Sequence, residues 1–257
     1  MKKSFQKMVF VVASILMAAP VVSSCDDDDE QKTSREETFK QAILGKWKMY
    51  STNGVLTLTD RKNVQTFNAD GTVCGTTFAE GLWFSSVTYT YSITDNQYTE
   101  NVGNLSVKGI IASISNTELL FSSFTVPGFE QKDVKMTKVE KDFSKSIVGL
   151  WEGVEMTGEE TYGSADHRWE YKADGSYLYY SKDGEGKWVA DDAVNAGNVY
   201  YVDGDFLGSR WTVNGVEYKE WWDIDSCDDK QMVWSALRMG KDGKKYTTTF
   251  TMKRVTE

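Results

Sequence analysis

Ile43-Leu44-Gly45-Lys46-Trp47 returns as Ile147-Val148-Gly149-Leu150-Trp151, at a spacing of 104 residues. Phe67-Asn68-Ala69-Asp70-Gly71-Thr72 returns as Tyr171-Lys172-Ala173-Asp174-Gly175-Ser176, again at 104. Two matches in one register mark a duplicated unit. The far ends agree as well: Val134-Lys135-Met136-Thr137-Lys138-Val139 resembles Phe250-Thr251-Met252-Lys253-Arg254-Val255, now 116 apart. The second copy is therefore about a dozen residues longer, mostly beyond its Asp-Gly turn. The copies are expected over residues 41–139 and 144–257. The joint near Glu140 to Ser146 is too short for a flexible linker, so the two should sit close together.

Each copy reads as β. Val87, Tyr89, Tyr91 and Ile93 alternate with Thr88, Thr90, Ser92 and Thr94, the period of a half-buried strand. Asn214-Gly215 between Trp211-Thr212-Val213 and Val216-Glu217-Tyr218 is a hairpin signal, since both residues accept the positive φ of a type I′ turn. The two Asp-Gly turns suit hairpins for the same reason. Tyr246, Thr248, Phe250 and Met252 share one face of the last strand. Ser34 and Glu37 have the spacing of a capping box opening a short helix into Leu44. Many short strands and little helix predict an all-β chain of two tandem antiparallel barrels, whose closure leaves no edge to aggregate.

Ahead of the repeat, Met1 to Lys7 carries three lysines, Met8 to Val22 is apolar apart from Ser14, and Val22-Ser23-Ser24-Cys25 follows. That order is a secretory signal, expected over residues 1–24. Its last four residues resemble the lipobox of bacterial lipoproteins. The resemblance implies cleavage before Cys25, acylation of that cysteine and a stable membrane anchor. Asp26-Asp27-Asp28-Asp29-Glu30 is expected to open a solvated, disordered acidic tether over residues 25–40. The run is also similar to the acidic tag of surface lipoproteins in Bacteroidetes-type bacteria, which implies the outer membrane and its outer face. In other Gram-negative lineages an Asp there implies inner-membrane retention. With Cys25 lipidated, Cys74 and Cys227 fall in different copies and are expected as two free thiols.

Composition excludes several chemistries. The chain has 257 residues, with 29 Lys+Arg against 38 Asp+Glu, which is the wrong balance for gripping a nucleic-acid backbone. One histidine leaves little for zinc or iron sites. Asp166 and His167 are neighbours on a strand, so they point to opposite faces and form no relay. Asp203, Asp205, Asp223, Asp225, Asp228 and Asp229 cluster without the spacing of a calcium loop. The reading expects no enzyme, no cofactor and no metal.

A Gly-x-Trp opening the first strand, followed by Phe-x-x-Asp-Gly-Thr, resembles lipocalin-like domains of bacterial lipoproteins, twice over. That resemblance implies that Trp47 and Trp151 each plug one barrel end. Arg254 would cover the second, and Lys138 would stand in the equivalent place in the first. Seven of the nine Trp fall in the second copy. Parity puts His167, Trp169 and Tyr171 on one face, where the first copy has Asn63, Gln65 and Phe67. With Trp211 and Trp222 they form the candidate ligand-binding set. The expected function is non-enzymatic binding of a small apolar or glycan ligand, with the first copy as a spacer. The alternative is a structural or protein-interaction module of a surface complex, with filled barrels and a possible surface protein partner.

Overall fold

The computed structural model describes residues 28–76, 86–158, 166–190 and 192–256. The export segment and Cys25 lie outside the described residues.

Helix α1 spans Asp28–Ala42: it takes in most of the tether segment and begins ahead of Ser34, so the helix start expected at the Ser34–Glu37 capping box is corrected. Phe39 and Ile43 are buried in the core of the first copy, and Glu36 accepts the backbone N–H of Asp95 at 3.0 Å. Tertiary packing holds the helix, because a 15-residue polar segment is marginal alone.

The first copy supplies β1 (Gly45–Thr52), β2 (Val55–Leu56), β3 (Val64–Phe67), β4 (Thr72–Thr76), β5 (Ser86–Thr94), β6 (Gln97–Val102), β7 (Leu105–Ile114), β8 (Glu118–Val126) and β9 (Phe129–Lys138). These run in the order β2-β1-β3-β4-β5-β6-β7-β8-β9, and β1 pairs back onto β9. Eight antiparallel strands therefore close into a barrel, with β2 as a flap on β1. Its interior is packed with rings. Phe67 meets Tyr91 edge-on at 5.2 Å, and Tyr98 lies 5.4 Å from Phe121. Gly109 makes room for this packing: a Cβ there would stand 2.8 Å from the Phe121 ring.

The second copy supplies β10 (Gly149–Thr157), β11 (His167–Tyr171), β12 (Tyr177–Lys182), β13 (Trp188–Val189), helix α2 (Asp192–Asn195), β14 (Val199–Asp203), β15 (Phe206–Val213), β16 (Val216–Cys227), β17 (Gln231–Met239) and β18 (Lys245–Arg254). They form one sheet in the order β13-β12-β11-β10-β18-β17-β16-β15-β14. The expected second closed barrel is corrected here. Where β4 and β5 share five residue pairs, β12 and β14 meet only through the isolated bridge Ser176–Val199. The cause is in the chain length. Tyr91 and Tyr200 bond equivalently, through their N–H groups, to Gly71 and Gly175, yet 25 positions separate the second pair and 20 the first. The extra chain becomes β13 and α2. The strand that returns is short and pairs only near the base.

Both Gly-x-Trp ends are built alike. Trp47 Nε1 donates to the Ile43 carbonyl at 2.6 Å, and Trp151 Nε1 to that of Ile147 at 2.7 Å. Lys138 Nζ lies 4.4 Å from the centre of the Trp47 ring and Arg254 Cζ 4.1 Å from that of Trp151. Arg254 also donates to the carbonyls of Val148 and Ser146 at 2.9 and 2.6 Å. A Cβ on Gly149 would collide with that guanidinium, and its φ of 136° suits glycine alone.

The copies lie side by side. Lys48 Nζ reaches Asp205 at 2.7 Å and Asp223 at 2.8 Å, Lys62 also pairs with Asp223, and Lys46 pairs with Asp203. Val64 packs with Phe206 and Trp221 beneath these pairs. Asp203, Asp205 and Asp223, three of the clustered acids, are thus counter-ions to lysines of the other copy. Cys74 and Cys227 form no disulfide with each other.

Candidate functional site

A cavity of about 330 Å³ lies inside the second sheet. All five residues of the candidate set line it: His167, Trp169, Tyr171, Trp211 and Trp222. Parity brings them together, because alternate residues of β11, β15 and β16 face one side of a curved sheet. The register then adds partners. Trp169 lies opposite Trp151 on β10 and opposite Tyr179 on β12. In the first copy the same pairings set Gln65 opposite Trp47 and Gly75. The second copy thus puts an indole and a phenol where the first has an amide and no side chain. It still keeps a cavity, because the insertion at the seam widens the circumference.

Trp169 is the hub of the aromatic wall. Its ring lies 5.3 Å from Phe250, 5.6 Å from Tyr179, 5.8 Å from His167 and 5.9 Å from Trp234, mostly edge-on or tilted. Tyr171 is fully buried at the floor, 4.7 Å from Tyr200, and bonds Ser209. Trp222 is buried 5.5 Å from Trp234 and carries Arg238 over its ring at 4.5 Å. Trp211 stacks on the exposed Tyr218 at 5.8 Å, the two being directly opposed across the Asn214-Gly215 hairpin.

Burial sets the protonation of the wall. It lowers the pKa of His167, which keeps the ring neutral at pH 7, and His167 Nδ1 shares a hydrogen bond with the Tyr179 hydroxyl. It raises the phenols of Tyr171, Tyr177 and Tyr179, so they stay protonated. Asp166 points elsewhere and pairs with Lys182 at 3.1 Å. Among the described residues no three His, Cys, Asp or Glu side chains gather as a metal site.

Sequence reasoning missed several lining residues: Tyr179, Trp234, Asn198, Ser209 and Glu220. The abundance of Trp in the second copy was a signal for Trp234, and strand parity from the Asp-Gly turn was one for Tyr179. Asn198 and the neighbouring Asn195 belong to the seam, which nothing in the sequence marks. Asn195 Oδ1 accepts the N–H of Tyr179 at 2.6 Å, and its Nδ2 donates to the Tyr179 carbonyl at 2.9 Å. One side chain stands in for a strand there. Asn198 Oδ1 and Trp234 Nε1 are buried without hydrogen-bond partners. The arrangement can enclose and orient a small molecule.

No family model and no curated protein matches the chain. Among solved structures, one similar chain is a protein of unknown function from the DUF3598 family of Nostoc punctiforme PCC 73102. It shows 11% identity over 84% of this chain and 97% of that one, with a TM-score of 0.24. Another, from Bacteroides fragilis NCTC 9343, is described as a "putative outer membrane protein". It shows 13% identity over 84% of this chain and 99% of that one, with a TM-score of 0.22. Scores this low carry no argument about the present chain.

Proposed function

We propose that the second copy is a non-enzymatic binding module for a small, largely apolar ligand, with the first copy as its rigid support. The cavity walled by Trp169, Trp211, Trp222 and Trp234 is the observation that carries the reading. Enclosed aromatic walls with a few polar groups favour apolar rings, or the apolar face of a sugar, over extended polar chains. In this reading the chain is tethered to the outer membrane through an acylated Cys25, as its resemblance to a lipobox implies. Titration of the whole chain with the fluorescent probe N-phenyl-1-naphthylamine, with methyl glycosides as competitors, tests it. Saturable enhancement is expected, and Trp169→Ala should weaken binding by at least ~1 kcal/mol, about fivefold. No enhancement with wild type, together with unfolding of Trp169→Ala, would make Trp169 a core residue and end the proposal.

A second reading draws on the opposite end of the first barrel from Trp47. There Leu105 and Phe129, both more than half exposed, crown hairpins beside Val55 and Leu56. Apolar tips of this kind mark contact surfaces and support the alternative of a protein-interaction module.

A further inference from the structure

We propose that the cavity selects a flat, two-ring ligand carrying a protonated amine, with the ammonium seated against Glu220 and the neighbouring indoles. This rests on the second copy being a binding module. Glu220 is the one charged side chain among the lining residues. It faces Ser209 across β15 and β16, and its charge reaches the phenols of Tyr171 and Tyr177. The polar corner therefore sets a carboxylate acceptor among hydroxyls that both donate and accept. Asn198 Oδ1 adds another acceptor: the side chain lines the cavity, is only 3% exposed, and this oxygen has no donor. A ligand group with N–H bonds to give satisfies that corner, because a buried acceptor left unpaired is costly.

The walls point the same way. The faces of aromatic rings are electron-rich and attract cations, indole most strongly. Four indoles line the cavity. The protein already uses this attraction, since Arg238 lies 4.5 Å over Trp222 while bonding Glu220 Oε1 at 2.9 Å. Arg238 is not itself among the lining residues, so an incoming ligand meets the carboxylate and the indoles, not the guanidinium. An anionic ligand would meet the Glu220 carboxylate, a partly exposed group already paired with Arg238, and be the least favoured of the three charge types there. Size sets the rest. An engineered cavity of ~150 Å³ holds one benzene, and about 330 Å³ accommodates two fused rings with a short arm.

Three ligands that differ only in their handle test this on the whole chain: 1-naphthylmethylamine, 1-naphthalenemethanol and 1-naphthoic acid. Isothermal titration at pH 7 should show the amine binding about tenfold more tightly than the alcohol, with the acid weakest. Glu220→Gln should weaken the amine by more than the alcohol and bring the two to similar affinity. If that variant fails to fold, the wild-type series decides alone. Equal affinities, or the acid tightest, would overturn the amine assignment and leave the binding module standing. No heat and no shift in melting temperature with any of the three would remove the module, and this inference with it.

Discussion

Asn195→Ala should cost the chain about 2–4 kcal/mol, because one amide replaces a length of missing strand. In the first barrel the corresponding stretch of β4 is paired to β5 residue by residue. In the second sheet the N–H and carbonyl of Tyr179 are both held by the Asn195 side chain, at 2.6 and 2.9 Å. A third bond, from Asn198 Nδ2 to Asn195 Oδ1 at 3.1 Å, fixes the amide in place. Truncation removes all three. The two bonds to Tyr179 contribute ~1 kcal/mol each, and stranding its backbone groups adds about 1–3 kcal/mol in a dry site. Tyr179 is half-buried at the seam, so water offsets part of that second amount. Asn195→Asp keeps the acceptor but loses the donor, and should fall between wild type and Ala. Urea unfolding of the whole chain measures the loss, and amide exchange at Tyr179 locates it. A value within ~0.5 kcal/mol of wild type, with exchange at Tyr179 unchanged, would refute the account of the seam.

Asp223→Ala should destabilise the chain by about 3–5 kcal/mol, because it takes away the carboxylate paired with Lys62 and leaves Lys48 with Asp205 alone. Lys48 and Lys62 hold the Asp223 carboxyl below its ordinary range, so wild type keeps this contribution above that range and loses it as pH falls through the folded value. Urea curves of wild type and variant should therefore stand apart at neutral pH and converge in acid. Glu100 behaves in the opposite sense. Burial in the first barrel raises its carboxyl pKa although Tyr98 donates to it at 2.7 Å, so its contribution is complete at low pH and declines as pH rises through the raised value. Glu100→Gln should be the more stable protein at pH 7, and a wild type that gains stability between pH 5 and 8 relative to the variant would contradict this.

What could be read from the sequence follows the range of each interaction. Local patterns located the hairpin at Asn214-Gly215, whose φ angles are 52° and 77°, whereas the cations over Trp47 and Trp151 came from the resemblance carried by the Gly-x-Trp motif. Strand parity gathered five side chains that line one cavity. Circumference was beyond its reach. Whether a sheet closes depends on pairing between β12 and β14, and the inserted residues carry no pattern that says they will become β13 and α2. The start of α1 was misread because a run of acids is ordinarily solvated, and the burial of Phe39 and Ile43 that holds the helix is tertiary. Lys48 finds Asp205 and Asp223 at separations of 157 and 175 residues, where composition shows only two unrelated charge clusters.

The seam gives the two copies different mechanics. A ring of strands hydrogen-bonded all the way round behaves as a hoop: widening it anywhere breaks backbone bonds everywhere along a ladder. The first barrel, with β1 bonded back to β9, has that stiffness. A ring cut at one place behaves as a spring clip, whose gap can spread while every other joint stays intact. The second sheet has its cut between β12 and β14, bridged by one residue pair and one asparagine. Its bore can therefore widen or narrow by straining a few small contacts, while the hoop beside it holds the shape of the pair.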